Sequence, residues 1–455
     1  MPGLHTDLYE LRMAASYLRR GMDGPATFSL YVRQLPTERG FLVAAGLADA
    51  LAFLADFHVD GADLDWLHTT GGLPAEAVDA LDGVRFTGDV WAVPEGRMIF
   101  ADEPLLEVTA PFAQAQLVET ALLNIVTHQT TIASKAARCR LAAGDADLVD
   151  FAFRRTQGLA AAMAVARTSA IVGFVATSNV AAARRYGLPP SGTMAHSYVE
   201  AFPDERAAFT AFAEDYPRDV VFLIDTYDTL AGVRTAIEVT RRLRLPGPIG
   251  VRLDSGDLAG LAVAARRLLD EAGLTDARVV ASGGLDEYAI ADLVAAGAPI
   301  DAYGVGTKMG VSADAPCLDS AYKLVAYDGR PVMKLSPGKV TLPGAKQVFR
   351  GEAVGDDLLG LRTEPVPPGH TLLLGPVMAG GQRLPTTDEY GPADDAAAAT
   401  RRFGDDLARL PEPARRLHRP APPVPAVTAP LNRLRQHVLS GLLDRLAAER
   451  LPVSG

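Results

Sequence analysis

Val220-Val221-Phe222-Leu223-Ile224-Asp225-Thr226-Tyr227-Asp228 is answered downstream by Ile249-Gly250-Val251-Arg252-Leu253-Asp254-Ser255-Gly256-Asp257. Each stretch is a short apolar run that stops at an Asp-x-x-Asp turn. A strand buried on both faces of a parallel sheet reads as such a run, because neither face meets water. The same grammar recurs on either side. Leu148-Val149-Asp150-Phe151 leads to Arg154-Arg155, and Ile171-Val172-Gly173-Phe174-Val175 leads to Thr177-Ser178-Asn179. Val279-Val280-Ala281 ends in Ser282-Gly283-Gly284, and Ile300-Asp301-Ala302-Tyr303 ends in Gly304-Val305-Gly306-Thr307-Lys308. Helical patterns such as 258–272 and 286–297 lie between. Strand–helix units at intervals of roughly 20–30 residues predict a parallel α/β barrel, with functional groups on the loops after the strands.

Outside this series the texture changes. A helix is predicted over 8–20, a half-buried strand over Thr27–Val32, helix over 41–70, strands and turns over 84–110, and helix over 112–143. After about 320 the pattern changes again, through Tyr322–Tyr327, Lys334–Lys339 and Thr341–Lys346, with helices expected at 394–409 and 429–448. The Pro-rich link 419–425 reads as extended surface chain.

A chain of 455 residues with 48% hydrophobic and 22% charged residues has the composition of a globular enzyme with a sizeable core. A net charge of -11 and a pI near 5.3 argue against nucleic-acid or anionic-membrane partners, while leaving room for a local phosphate site. Cys139 and Cys317 are the two cysteines, too few for a disulfide framework or a cysteine-rich zinc site. The start, Met1-Pro2-Gly3-Leu4-His5-Thr6-Asp7, lacks a basic segment before an apolar core, and no run of about 18 apolar residues occurs. The expected compartment is the cytoplasm, with no membrane span.

The polar punctuation carries the chemistry. Gly192-Thr193-Met194-Ala195-His196-Ser197 puts a histidine on a small-residue loop, where it can shuttle protons or accept a group on nitrogen. The turns holding Ser282, Gly283, Gly304, Gly306 and Thr307 follow the last two strands, where barrels commonly bind phosphate on bare backbone N–H groups. Asp225 and Asp254 suit a hydrated magnesium shared with a diphosphate, whereas Asp228 and Asp257 fit helix caps. Arg154, Arg155 and Arg252 can pair bidentately with carboxylate or phosphate, and Tyr9 and Phe151 can face a flat ring.

Taken together, Thr6–Leu11, Asp150–Arg155, Ala176–Val180, Gly192–Ser197, Ile224–Thr229, Val251–Leu258, Gly304–Lys308 and Thr341–Gly344 resemble nicotinate phosphoribosyltransferases, in family order from residue 6 to about 350. The resemblance implies a type II phosphoribosyltransferase fold. In it an irregular TIM-like α/β barrel (141–319) joins a second α+β domain, built from an N-terminal part (1–140) and a C-terminal segment (320–455). It also implies a homodimer with shared active sites. The implied reaction joins nicotinate to 5-phosphoribosyl 1-diphosphate, with ATP as co-substrate and Mg2+ as cofactor, in the first step of NAD salvage from nicotinate. Carried over to this sequence, His196 is the residue phosphorylated by ATP. Tyr9 of a neighbouring subunit and Phe151 sandwich the pyridine, while Arg252, Arg154 (or Arg155) and Thr193 hold anionic groups. Ser282, Gly283, Gly304, Gly306 and Thr307 cradle the 5′-phosphate, and Asp225 and Asp254 stand near magnesium-diphosphate and ribose.

Two positions depart from that pattern. Ala152 stands where relatives usually have glycine, and Gly284 where many have aspartate. The rival readings are a nicotinamide phosphoribosyltransferase, a paralogue acting on another pyridine carboxylate, and a binding pseudoenzyme. Nicotinamide enzymes of this kind carry an aspartate in the segment matching Ala176-Thr177-Ser178. Ser178 leaves no such acceptor charge and favours a carboxylate substrate. A Schiff-base aldolase would have only Lys308 to offer near a strand end.

Overall fold

The computed structural model describes residues 3–70, 72–336, 340–385 and 395–449. The chain divides into two compact units, Met1–Thr131 with Cys317–Gly455, and Ile132–Pro316. It is a mixed α/β protein whose second unit carries a parallel sheet curled into a half-barrel.

The first unit is built around the strand Pro25–Val32, buried along nearly all its length. It pairs antiparallel with Pro104–Pro111 on one side and with Ser320–Tyr327 on the other, so both chain ends enter one seven-stranded sheet. Phe28 of this strand stacks on Tyr322, ring centroids 4.7 Å apart, and the helices Leu8–Arg19 and Phe112–Leu117 meet through Tyr17 stacked on Phe112 at 4.0 Å. Helix 8–20 is found over Leu8–Arg19, and the tract 41–70 resolves into a short strand and the helices Leu47–Asp56 and Gly61–Thr70. The two expected C-terminal helices are Ala396–Arg409 and Ala429–Glu449. Pro337, Gly338 and Lys339, and the first residue of the expected helix 394–409, lie outside the described residues.

The helix Ala396–Arg409 is anchored by one buried carboxylate. Asp406 accepts from Arg97 Nη1 at 2.8 Å, from the Met98 N–H at 2.8 Å and from Arg409 Nη2 at 3.0 Å, and lies 3.3 Å from Arg350 Nη1. Three guanidinium groups around a fully buried anion satisfy the condition for burying charge, which is pairing plus hydrogen bonding.

In the second unit the strands, read across the sheet, are Ala176–Thr177, Asp147–Asp150, Ala302–Val305, Arg278–Ala281, Gly250–Leu253 and Val221–Leu223, every neighbouring pair parallel. Ala176–Thr177 and Val221–Leu223 form the two edges of the ladder, and a single bridge links Thr177 to Pro190. Helices follow the strands, and their N-caps come from side chains just past the strand ends. Asn179, Asp228, Asp257 and Asp286 accept from Ala182, Ala231, Gly260 and Ala289 N–H groups respectively. The Asp228 and Asp257 expectation as caps is what the structure shows.

Two strand expectations shift. Ile171–Val175 is not a strand: the helix Leu159–Ile171 runs into it and stops at Gly173, whose φ of 91° is left-handed. The Gly173 and Phe174 N–H groups return to Ala170 and Ser169 carbonyls, the bonding that closes a helix C-terminus. Only Ala176–Thr177 joins the sheet. The last strand is displaced two residues forward, to Ala302–Val305, which puts Gly304 inside the ladder rather than in the turn. Ile300 and Asp301 precede it, Asp301 accepting from Val279 N–H on the neighbouring strand at 2.7 Å.

Asp406→Ala removes the shared anion and strands arginines in the interior of the first unit. We expect a loss of about 3 kcal/mol in urea unfolding followed by circular dichroism. A loss under about 1 kcal/mol would show that the cluster is held by the remaining carboxylates instead.

Candidate active site

The carboxyl ends of the parallel strands are tied sideways by side chains. Asp225 Oδ2 accepts from the Asp254 N–H at 3.0 Å and from the Ser255 hydroxyl at 2.6 Å, fixing the end of one strand to the next. Asp254 in turn accepts from the Ser282 hydroxyl, while the Ser282 N–H donates to the Leu253 carbonyl at 2.8 Å. Asp225 Oδ1 is buried and has no hydrogen-bond partner among the described residues. Such an atom is costly unless a cation or donor completes it.

His196 opens the short helix His196–Glu200 directly after the Ser191–Ala195 loop. Its Nδ1 lies 3.1 Å from Thr226 Oγ1 and its Nε2 3.9 Å from Asp254 Oδ2, with 40% of the side chain exposed. Arg252 points from the adjoining strand, its Nη1 donating to the Thr193 hydroxyl, and its Nε is buried without a partner among the described residues. Burial pulls the Arg252 guanidinium below its ordinary value, while Asp254 and Asp225 hold it up.

The other side of the mouth hangs on Asp150. Its Oδ1 accepts from the Ala152 N–H at 2.8 Å and its Oδ2 from the Thr177 hydroxyl at 2.7 Å, and Thr177 Oγ1 accepts from the Asn179 N–H at 3.0 Å. Burial raises the Asp150 carboxyl, and those two hydrogen bonds oppose the rise. The result is a fixed exit from the strand for Phe151, whose N–H donates to the Val305 carbonyl at 2.9 Å, and for the 3-10 turn Phe153–Arg155.

These groups enclose a cleft of about 350 Å³ lined by Phe151, Phe153, Arg154, Ser178, residues 192–196, Arg252 and Asp254. The cleft takes in Arg154 and not Arg155, both of them exposed. Ser282 is buried beside Asp254, and Gly283 has a φ of 90° with its Cα over the Asp254 carbonyl, where a Cβ would collide. Gly304 is buried in its strand beneath Phe151, and Gly306 caps the short helix Thr307–Gly310 that follows. Lys308 pairs with Asp286 at 2.8 Å. Ala152 is fully buried, its methyl facing Gly310. Tyr9 belongs to the first unit, where its ring is 50% exposed and its hydroxyl donates to Glu10 at 3.2 Å.

Sequence reasoning passed over Thr226, Ser255, Phe153 and Asp150. All four sit inside the quoted strand-end stretches, so position after an apolar run was the available signal. It also passed over Glu205, the first residue of the helix Glu205–Asp215. Burial, reinforced by Asp228, pushes the Glu205 carboxyl up to about 7, and its Oε1 is buried without a partner among the described residues.

The chain is similar to known proteins over most of its length. The family model described as nicotinate phosphoribosyltransferase N-terminal domain matches residues 4–127, and that of the nicotinate phosphoribosyltransferase family matches 146–336. A nicotinate phosphoribosyltransferase of Mycobacterium tuberculosis is 51% identical over 393 residues, 85% of this chain and 84% of that one. One from Bacillus subtilis is 48% identical over 359 residues, 76% of this chain and 72% of that one. The crystal structure of human nicotinic acid phosphoribosyltransferase superposes with a TM-score of 0.83 at 29% identity, covering 95% of this chain and 99% of that one. No described helix is long and apolar enough to cross a membrane.

The raised Glu205 carboxyl makes a pH prediction. The folded state keeps a proton that the unfolded chain releases near pH 4.5, so stability falls as pH rises from there to about 7. Glu205→Gln removes that fall. Its Tm should match the wild type at pH 4.5 and exceed it above pH 7; parallel Tm curves across this window would refute the assignment.

Proposed function

This chain belongs to the nicotinate phosphoribosyltransferase family, and from that premise we propose that it makes nicotinate mononucleotide from nicotinate and 5-phosphoribosyl 1-diphosphate, with ATP hydrolysed alongside. The observation that carries the reading is Arg252. A guanidinium whose Nε is buried and unpartnered among the described residues, on the wall of a cleft that also holds Phe151, Arg154 and Ser178, suits a flat ring bearing a carboxylate. Residue 178 is a serine and adds no carboxylate beside the ring, so Asp254 and Asp225 are the acidic groups that face the guanidinium.

The pyridine nitrogen brings its own lone pair, so no base is needed to activate it. As that nitrogen bonds to C1′, the bond from C1′ to the diphosphate oxygen breaks and diphosphate leaves with the electron pair. The chain's part is to align the two reactants and to stabilise the charge that separates. Phe151 gives the ring a platform, and Arg252, held by Thr193, orients the carboxylate. Gly283, Gly306 and Thr307 offer backbone and hydroxyl donors to the 5′-phosphate, while Ser282, whose N–H and hydroxyl are bonded to Leu253 and Asp254, holds the turn in place. Asp225 and Asp254 would hold magnesium; Asp225 Oδ1, unpartnered among the described residues, fits an oxygen-liganded cation, and the ion when bound would neutralise diphosphate charge.

His196 serves the ATP. Nδ1 lies 3.1 Å from Thr226 Oγ1, and in the tautomer that donates there the lone pair sits on Nε2. That nitrogen attacks the γ-phosphorus, the bond to the β-bridging oxygen breaks and ADP leaves; water later takes the phosphoryl group and Nε2 recovers its pair. We read the half-barrel as the barrel domain of a type II phosphoribosyltransferase and the unit made from both chain ends as its second domain. The working form is a cytoplasmic homodimer in which the half-exposed Tyr9 of a second copy covers the ring that lies on Phe151.

Mixing the protein with the sugar diphosphate, Mg2+ and either nicotinate or nicotinamide, with and without ATP, tests this directly. Nicotinate mononucleotide should form, faster with ATP and with ADP appearing alongside; turnover of nicotinamide in its place would reverse the base assignment. His196→Ala should retain slow transfer while losing ATP hydrolysis and its stimulation, and complete loss of transfer in a folded variant without ATP would contradict the phosphate-acceptor role. Arg252→Lys, which keeps charge but loses the planar fork, should raise the nicotinate KM by about tenfold or more, with the sugar-diphosphate KM little changed.

A further inference from the structure

The sequence places Gly304 in a glycine-rich turn of the kind that cradles phosphate, yet the structure puts it within the ladder, opposite Val149 of the strand that leads to Phe151. A Cβ at this position would lie 2.5 Å from both Cδ2 and Cε2 of Phe151 and 3.3 Å from the Ser282 Cβ. Ordinary carbon contacts begin near 3.5 Å, so a methyl group would displace the ring by about 1 Å. The backbone cannot take up that shift. Ala152 is clamped by Asp150 through its N–H, its methyl abuts Gly310, and the Phe151 N–H is bonded to Val305. The side chain alone would move, and Phe151 lines the cleft.

We propose that Gly304 is a positioning residue for the base, setting the height of the Phe151 platform by the absence of its side chain. The proposal rests on the functional reading above and deepens it. The thickness of the slot for a flat heteroaromatic ring is fixed from beneath by residue 304. The 5′-phosphate is served by Gly283, Gly306 and Thr307, and does not need Gly304. Gly310 acts in the same sense one step along, accommodating the methyl of Ala152 so that this departure from glycine leaves the platform in place.

The test is a cycle of Gly304→Ala, Phe151→Ala and the double variant, each assayed for both substrates and for Tm. Gly304→Ala should raise the nicotinate KM by about tenfold or more, since a misplacement of roughly 1 Å is costly at a reacting pair, and leave the sugar-diphosphate KM within about twofold. In the Phe151→Ala background the same change should alter the nicotinate KM by less than about twofold. A penalty that falls on the sugar diphosphate, or that is equal in both backgrounds, overturns the proposal. If Gly304→Ala alone is too unstable to assay, recovery of Tm in the double variant supports the contact, and failure to recover overturns it. Absence of nicotinate turnover by the wild type would sink the functional reading, while the Tm cycle would still decide whether residue 304 sets the ring.

Discussion

Asp225 reaches across from the end of its strand to the backbone N–H of Asp254, and the geometry of the mouth follows from that reach. A parallel ladder ends where the strands stop pairing, and beyond it the backbone groups must find other partners or water. Here carboxylates and hydroxyls continue the ladder for one more rung. Asp225 binds Asp254 and Ser255, Asp254 binds Ser282, and on the other side Asp150 binds Ala152 and Thr177. Asp150 spends both oxygens on its ties, whereas Asp225 makes both of its ties through Oδ2. That leaves Asp225 Oδ1, like Arg252 Nε, buried and without a partner among the described residues.

The Asp-x-x-Asp spacing records two demands made three residues apart. The first aspartate of each pair sits at the strand end and meets the mouth; the second closes the loop by capping the helix that follows, accepting from Ala231 or Gly260. A cap of this type contributes about 1 kcal/mol, and the N–H groups it satisfies would otherwise be orphaned at the helix start. The loops between strand and helix are therefore short and held at both ends, which keeps Thr226 against His196.

Legibility followed the physics of each segment. Val221–Leu223, Gly250–Leu253 and Arg278–Ala281 could be read because each is mostly apolar and stops at a polar turn, the half-buried Arg252 and the exposed Arg278 being the charged residues within them. Ile171–Val175 has the same composition and is a helix terminus, because apolarity reports burial and not backbone conformation; the left-handed Gly173 was the discriminating residue. Asp225, Asp254, His196 and Arg252 were legible as polar residues at strand ends or on a loop. Asp150 was not, since a carboxylate that closes an apolar run looks like its boundary, and its two partners are local N–H and hydroxyl groups with no signature of their own. Glu205 escaped notice because its character comes from burial, reinforced by Asp228 at the cap of another helix, and both arise only in the folded chain.

The glycines show most sharply how one composition serves two purposes. Ser282-Gly283-Gly284 and Gly304-Val305-Gly306 look alike in sequence, and both suggest close approach of backbone to an anion. Gly283 requires its glycine twice over, through a φ of 90° and through the Asp254 carbonyl that occupies the place of a Cβ. Gly304 carries no such backbone strain; its requirement is steric and comes from Phe151. A side chain at 283 would disturb the tie between neighbouring strands, whereas one at 304 would press chiefly on the ring, with Ser282 the next neighbour at 3.3 Å. Gly283 is therefore bound into the tie between strands, whereas Gly304 bears first on the ring that lines the cleft.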